Sequence, residues 1–400
     1  MNRLFAAFTV MIMIAVWGFS FPGVSGAAAA AHKSVADGNT DVAIDLYREL
    51  GKNQGNLFFS PFSISSALAM TYAGAREDTA AQMKEALHFQ LEQSGLNSAF
   101  RSLNQKLAEA AERSDQKLNI ANALVLTGGR VSNTYEKILR TYYNAEIFGG
   151  DLGAINGWVK RKTEGKIDTI LEQLSANSVC VILNAIYFKG TWDAQFDKTS
   201  TLNAPFSVST DKQVKIPLMH RKDNYKLLEQ DKVQIISLPY KGKALSMVVI
   251  LPKEVDGLAN VEEQLKAKDI KELLAKLDKQ PDRKVSVYFP KFRMETKYDL
   301  GGPFQKMGMK DAFSSRADFT GMGWQKGYLW IGQIKHKAFV EVNEEGTEAA
   351  AATAVEMVTK AMPARELVFR ADHPFFFMIR DNETGTILFM GRMADPATQR

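Results

Sequence analysis

The residue types that do chemistry are thinly spread along this chain and do not gather into a recognised constellation. Its five histidines are His32, His88, His220, His336 and His373, and none stands near a second ligand type at a spacing that would hold a metal. G-x-S-x-G, H-E-x-x-H and G-x-x-x-x-G-K-[ST] are all absent. A Ser/His/Asp triad needs no local motif, since the fold brings its members together, yet nothing here singles one out. Gly321, Gly323 and Gly327 imitate a dinucleotide fingerprint, but the last spacing is wrong and no strand precedes them. Cys180 is the only cysteine and lies in the apolar run Val179-Cys180-Val181-Ile182-Leu183. Burial there raises a thiol pKa and suppresses the reactive thiolate, so a packing role is expected. The reading is of a protein that is not an enzyme, with no metal and no cofactor.

The elements that would position any function belong to an ordinary globular chain. Its 400 residues are 46% hydrophobic and 24% charged, with a formal net charge of +5. The basic excess is scattered rather than gathered into a stripe with interleaved aromatics, which excludes nucleic acid as a partner. At the N-terminus Arg3 precedes an apolar stretch from Leu4 to Phe21, and Pro22-Gly23 then break it ahead of the small residues Val24 to Ala27. Residues 1–26 therefore read as an export signal, predicting a secreted or periplasmic protein, with an uncleaved membrane anchor as the alternative.

Helical spacing is predicted at 40–53, from Ser60-Pro61 through Ala73, and at 77–87, 96–113, 134–143 and 154–172. A strand-like run at 118–126 lies among them. From Val179 onward strands are predicted at 179–188, 214–220, 233–238, 244–251, 284–290, 330–343, 367–370 and 375–392, interrupted by one helix at 258–278. Helices first and strands later indicate an α+β fold with large antiparallel sheets. No linker or internal repeat divides residues 38–396, which read as one domain and a monomer.

One segment has two readings. Glu344-Glu345-Gly346-Thr347-Glu348 and the four alanines Ala349, Ala350, Ala351 and Ala352 carry strong helix propensity, and Thr347 is a suitable cap. With period two, Thr347, Ala349, Ala351, Thr353, Val355, Met357 and Thr359 form an uncharged face of small and medium side chains. Glu348, Glu356 and Lys360 all fall on the opposite face. Small side chains suit a strand that must slide between two others, and Gly346 is a permissive point at which to fold back.

This stretch resembles the hinge and reactive-centre loop of inhibitory serpins, and the likeness covers about residues 38–396. Asn56-Leu57-Phe58-Phe59-Ser60-Pro61-Phe62-Ser63-Ile64 is similar to the start of the family's second helix. Asn156-Gly157-Trp158-Val159 with Thr163-Glu164-Gly165-Lys166-Ile167 resembles the helix that crosses the main sheet. Leu183 to Trp192 is like the central strand, and Asp372 to Phe377 with Gly385 to Arg392 like the C-terminal signature.

The resemblance implies a serpin fold: three β-sheets including a large, mainly antiparallel central one, eight or nine helices, and an exposed reactive-centre loop at 344–362. It implies suicide inhibition, in which a protease attacks the loop, forms an acyl-enzyme and is trapped as the loop inserts into the sheet. By the family's spacing the cleaved bond is Lys360-Ala361, suiting a trypsin-like serine protease as partner. Arg365 and Met362 stay open as alternatives, and Met362 would point to elastase- or chymotrypsin-like enzymes. Glu344, Gly346, Thr347, Glu348, Ala349 to Ala352 and Thr353 match the hinge. Ser60, Ser63, Asn184 and His336 match a polar "shutter" beneath the strands that part. Trp192, with Glu344, matches the upper end of the sheet where insertion begins.

Other readings stay in view: a non-inhibitory carrier or chaperone serpin, and an inhibitor of papain-like cysteine proteases. The helix at 96–113 carries Arg101, Lys106 and Arg113 among Glu109 and Glu112, which reads as a solvated face rather than a glycosaminoglycan site. Asn382-Glu383-Thr384 is a glycosylation sequon expected to sit in a tight turn.

Overall fold

A computed structural model describes residues 22–114, 116–174, 180–346 and 366–398, with side chains from residue 26 onward. Nine α-helices fall among the described residues: α1 Pro22–Leu50, α2 Pro61–Tyr72, α3 Glu77–Ala86, α4 Gln93–Arg113, α5 Asn133–Ile138, α6 Leu152–Lys162, α7 Leu258–Gln264, α8 Ala267–Asp278 and α9 Gly301–Lys306. The strands in the first part of the chain are β1 Leu57–Phe59, β2 Lys117–Leu126, β3 Glu146–Phe148 and β4 Cys180–Lys189. They are followed by β5 Leu202–Ser207, β6 Gln213–Glu229, β7 Val233–Pro239, β8 Leu245–Pro252, β9 Asp282–Pro290 and β10 Phe292–Asp299. The last four are β11 Ile331–Val342, β12 Leu367–Arg370, β13 Phe375–Asp381 and β14 Ile387–Met393.

The α+β architecture follows this order. A five-stranded sheet runs β10-β11-β4-β2-β3, and a nine-stranded one runs β1-β14-β13-β8-β7-β6-β9-β12 with β5 beside β6. Two of the three expected sheets are joined, because the long strand β6 pairs with β5 near its start, β9 in its middle and β7 at its end.

Local chemistry explains the elements nearest the seam between β4 and β11. Ser60 caps α2 by accepting a hydrogen bond from the Ser63 amide, and Pro61 occupies the first turn, where its missing N–H costs nothing. Every residue of α2 is buried, so this helix packs directly beneath the sheets. Asp151 caps α6 in the same way through the Ala154 amide at 2.9 Å. Glu164 (φ 53°) and Gly165 (φ 77°) then turn the chain back in the left-handed region and end the helix. The predicted helix at 154–172 therefore stops at Lys162, and residues 163–174 run on as a strap. Ile167, Ile170 and Leu171 keep helical spacing because they pack, together with Ile155, Trp158 and Val159, on the outer face of β2 and β4.

Two further departures concern helix bounds. Pro22 already lies in helix among the described residues, so α1 reaches at least 18 residues before its predicted start. The single helix predicted at 258–278 is two, parted at Leu265 and Lys266, whose extended backbone starts α8 afresh.

Candidate functional site

The five-stranded sheet contains an unusual join. β11 lies parallel to β4, with His336 opposite Asn184 and Phe339 opposite Tyr187, while β10 and β2 flank this pair antiparallel. Parallel pairing is slightly the weaker of the two. A strand that left the end of β11, reversed, and entered between β11 and β4 would be antiparallel to both.

The reversal lies where such a strand would need it. Beyond β11, Asn343 and Gly346 exchange hydrogen bonds at 2.8 and 3.2 Å and turn the backbone. The turn is latched onto the segment after β4: Trp192 N–H donates to Glu345 O at 3.0 Å and Phe196 N–H to Glu344 O at 2.8 Å. Trp192 also donates through its indole Nε1 to Asn343 O at 3.0 Å and stacks on Tyr240 with centroids 4.6 Å apart. Gly346 sits at φ +134°, and a β-carbon there would lie 2.1 Å from the Gly190 carbonyl oxygen. Only glycine fits.

Two buried carboxylates hold the same corner. Glu344 receives Lys291 at 2.9 Å and the Thr201 hydroxyl at 2.8 Å. Burial pushes its carboxyl up, but the hydrogen bonds from Lys291 and Thr201, with the Lys291 charge, outweigh this and hold it below the ordinary range. Glu345 is buried beside Lys198, which pairs with one of its oxygens.

Lower in the seam Ser60, Ser63, Asn184 and His336 do come together. His336 and Asn184 are direct partners across β11 and β4, and Asn122 of β2 is the next partner in the same row. The Ser60 amide donates to His336 Nε2 at 3.1 Å, so this nitrogen is unprotonated and Nδ1 carries the proton, donating to Asn184 Oδ1 at 2.5 Å. Asn184 Nδ2 then reaches Ser63 Oγ at 2.5 Å and Asn122 Oδ1 at 2.6 Å. The Ser60 hydroxyl donates to Leu388 O at 2.5 Å. Full burial pushes the His336 imidazole down to about 3, so it stays neutral near pH 7. Each group is satisfied, yet all the links crossing from β11 to β4 at this level are side-chain or strand bonds that parting strands must exchange. Asn122 was missed by sequence reasoning. Its signal was a lone polar residue in the apolar half of a strand.

Above this row, α6 and the strap cover the seam. Asn156 donates to Leu171 O at 2.8 Å and accepts from the Ile170 and Leu171 amides at 2.9 and 3.1 Å, which fastens the strap to the helix. Lys337 of β11 donates to Thr169 O at 2.8 Å, fastening the strap to the sheet. Cys180 is buried at the lower end of β4, its thiol pushed up to about 12 by burial, which suits a packing role. Lys106 pairs with Glu383 at 2.5 Å. The Asn382 amide donates to Lys243 O at 2.8 Å and accepts from the Ser246 hydroxyl at 2.6 Å, so its nitrogen is already engaged. Thr347, Glu348, Ala349 to Ala352, Thr353, Lys360 and Ala361 lie outside the described residues.

Comparison with known proteins agrees with this geometry. The chain is 40% identical over 380 residues to pig leukocyte elastase inhibitor, covering 90% of this chain and 98% of that protein. It is 36% identical to human serpin B4, covering 91% of this chain and all of the relative. The crystal structure of a thermophilic serpin, tengpin, in its native state superposes with a TM-score of 0.82 at 29% identity, covering 90% of this chain and 94% of that one. The serpin fold is thereby shown.

These relatives overturn the expectation of export. Leukocyte elastase inhibitors and the serpin B proteins are intracellular serpins, so secretion, periplasmic residence and a membrane anchor are withdrawn. Pro22-Gly23, read as the break ahead of a cleavage site, instead lie within α1, and residues 1–21 of the expected signal lie outside the described residues. Among the described residues no helix is long and apolar enough to cross a membrane. The family model described as "Serpin (serine protease inhibitor)" matches residues 37–396, and the chain belongs to the serpin family.

Proposed function

We propose that this protein traps serine proteases by inserting its own cleaved loop between β11 and β4. The observation that carries this reading is the parallel seam with a glycine-dependent reversal at its upper end. Residues 344–362 are the reactive-centre loop, with Lys360-Ala361 the cleaved bond and trypsin-like enzymes the target. Glu344, Gly346 and residues 347–353 form the hinge. Ser60, Ser63, Asn184 and His336 are the polar row that opens, and Trp192 closes the upper end.

The energy scale is adequate. About fifteen inserted residues at roughly 0.5–1.5 kcal/mol per backbone hydrogen bond supply on the order of 10 kcal/mol. That is comparable with the roughly 5–15 kcal/mol that stabilises a protease fold. A second reading, an elastase-type target cut at Met362, is favoured by the name of the pig relative.

Incubation with trypsin and with elastase, read by denaturing gel and mass spectrometry, separates these readings. A complex that resists SDS, with a peptide beginning at Ala361, is expected with trypsin. A complex with elastase alone and a peptide beginning at Pro363 supports the second reading. Plain cleavage with no complex from any protease, papain-like enzymes included, refutes trapping and leaves a carrier or chaperone role.

Thr347→Arg places a charge on the face that must pass beneath the sheet, where an unpaired buried charge is costly. This variant is expected to be cleaved as a substrate with stable complex reduced at least tenfold, measured by densitometry of the gel. Complex yields equal to the parent's would sink the assignment of Thr347 to the hinge.

A further inference from the structure

Beside the latched turn, the surface opens into a cleft of about 580 Å³. Its size falls in the range of small-molecule sites, roughly 300–1,000 Å³. The walls come from five separate stretches: the segment after β4, the first half of β6, the start of β10, the end of β11 with the turn that follows it, and Pro396-Ala397 near the C-terminus. Phe292 and Ile216 are buried and form an apolar floor, with Pro217 beside them.

The charges on the wall are not evenly matched. Lys291 is engaged by Glu344 and Lys198 by Glu345, so those two pairs neutralise one another. Lys215 is exposed and has no carboxylate partner among the described residues. Arg293 lies 4.9 Å over the Phe339 ring, and its nearest carboxylate contact, Glu295, is at 3.7 Å. Against these two cations the cleft presents one further carboxylate, Glu341, the partner of Arg293 across β10 and β11. An apolar floor beneath under-neutralised cations suits a ligand with an apolar body and one acidic head.

We propose that this cleft is a binding site for a small amphipathic anion, an aryl or alkyl carboxylate, sulfonate or sulfate. Its acidic head lies against Lys215 and Arg293, and its apolar body rests on Phe292, Ile216 and Pro217. The cleft adjoins the hinge, since Glu344 and Glu345 form part of its wall, but binding to the intact protein does not depend on whether the protein traps proteases.

Calorimetric titration of the full chain with biphenyl-4-carboxylate at low salt tests this. For a ligand of this size a Kd on the order of 0.1–1 mM is expected. Lys215→Glu is expected to weaken binding at least tenfold while leaving the Tm unchanged, since Lys215 is exposed. The neutral amide, biphenyl-4-carboxamide, is expected to bind the parent at least tenfold more weakly than the acid. Equal binding of acid and amide, equal binding to parent and Lys215→Glu, or no saturable heat up to about 5 mM would each overturn the proposal.

Discussion

Replacing Gly346 with alanine is expected to lower the Tm of the intact protein by roughly 3–6 °C, measured by scanning calorimetry. A β-carbon at this position would lie 2.1 Å from Gly190 O, 2.6 Å from Thr191 Cα and 2.7 Å from Trp192 N. All three are backbone atoms, so no side chain can rotate away and the latch itself must shift. Strain at a φ of +134° costs of order 1–3 kcal/mol, and loss of the Trp192 to Glu345 hydrogen bond adds about 1 kcal/mol. In a chain of this length each kcal/mol is worth roughly 2 °C or less. If the loop inserts after cleavage, residue 346 becomes part of an extended connection that alanine tolerates. The cleaved form should then melt as the parent's does, widening the gap between intact and cleaved Tm. An intact variant melting within a degree of the parent would show that the hinge is not held this way.

Acidification is expected to destabilise the protein through His336. In the unfolded chain its imidazole takes up a proton near pH 6.5, but in the folded one only near about 3, because burial opposes the charge. Above pH 6.5 both states are neutral and nothing is contributed. Between the two values the unfolded state holds one extra proton, so stability rises with pH at up to about 1.4 kcal/mol per unit. Moving from pH 7 to pH 5 should remove about 2 kcal/mol through this residue alone. His373 opposes it: burial lowers its pKa, but Asp372 and the Pro252 carbonyl more than restore the charged form and raise it. That group stabilises at low pH and loses its contribution as pH rises through its folded value. The test is urea unfolding of parent and His336→Gln at pH 7, 6 and 5. The variant starts less stable, and its loss on acidification should be smaller by about 2 kcal/mol. Parallel pH profiles would show that His336 charges in place.

The seam was only partly legible in the sequence. Ser60-Pro61 before an apolar run specifies α2 through capping alone, and a ten-residue strand at β4 follows from an unbroken apolar stretch. The resemblance to serpins identified the residues of the polar row, but not Asn122, because a single asparagine among alternating residues carries no periodic signal. The strap was misread as helix because Ile167, Ile170 and Leu171 keep a helical spacing while packing on a sheet. Positive φ at Glu164 and Gly165 was what ended the helix, and that is set by the fold. β5 and β10 were not read as strands. β5 has a single buried residue, Phe206, and β10 carries Arg293, Glu295, Lys297 and Asp299 at alternate positions, so neither offers an apolar run. The cleft beside the hinge has no linear signature, since its walls lie far apart in the chain.

The position of the last hairpin bears on how the molecule is made. β13 and β14 come from the end of the chain, yet they are interior strands of the nine-stranded sheet, between β8 and β1. Phe58 of β1 stacks on Phe389 of β14 at 5.2 Å, a contact joining the two ends of the sequence. At about 5–20 residues per second, the ribosome delivers β8 well before the strand that covers its free edge. Every side chain of β8 is buried in the finished fold. An unpaired strand of that composition is a template for aggregation. A message truncated before Phe375 would therefore leave β8 with an open edge rather than yield a slightly shortened protein.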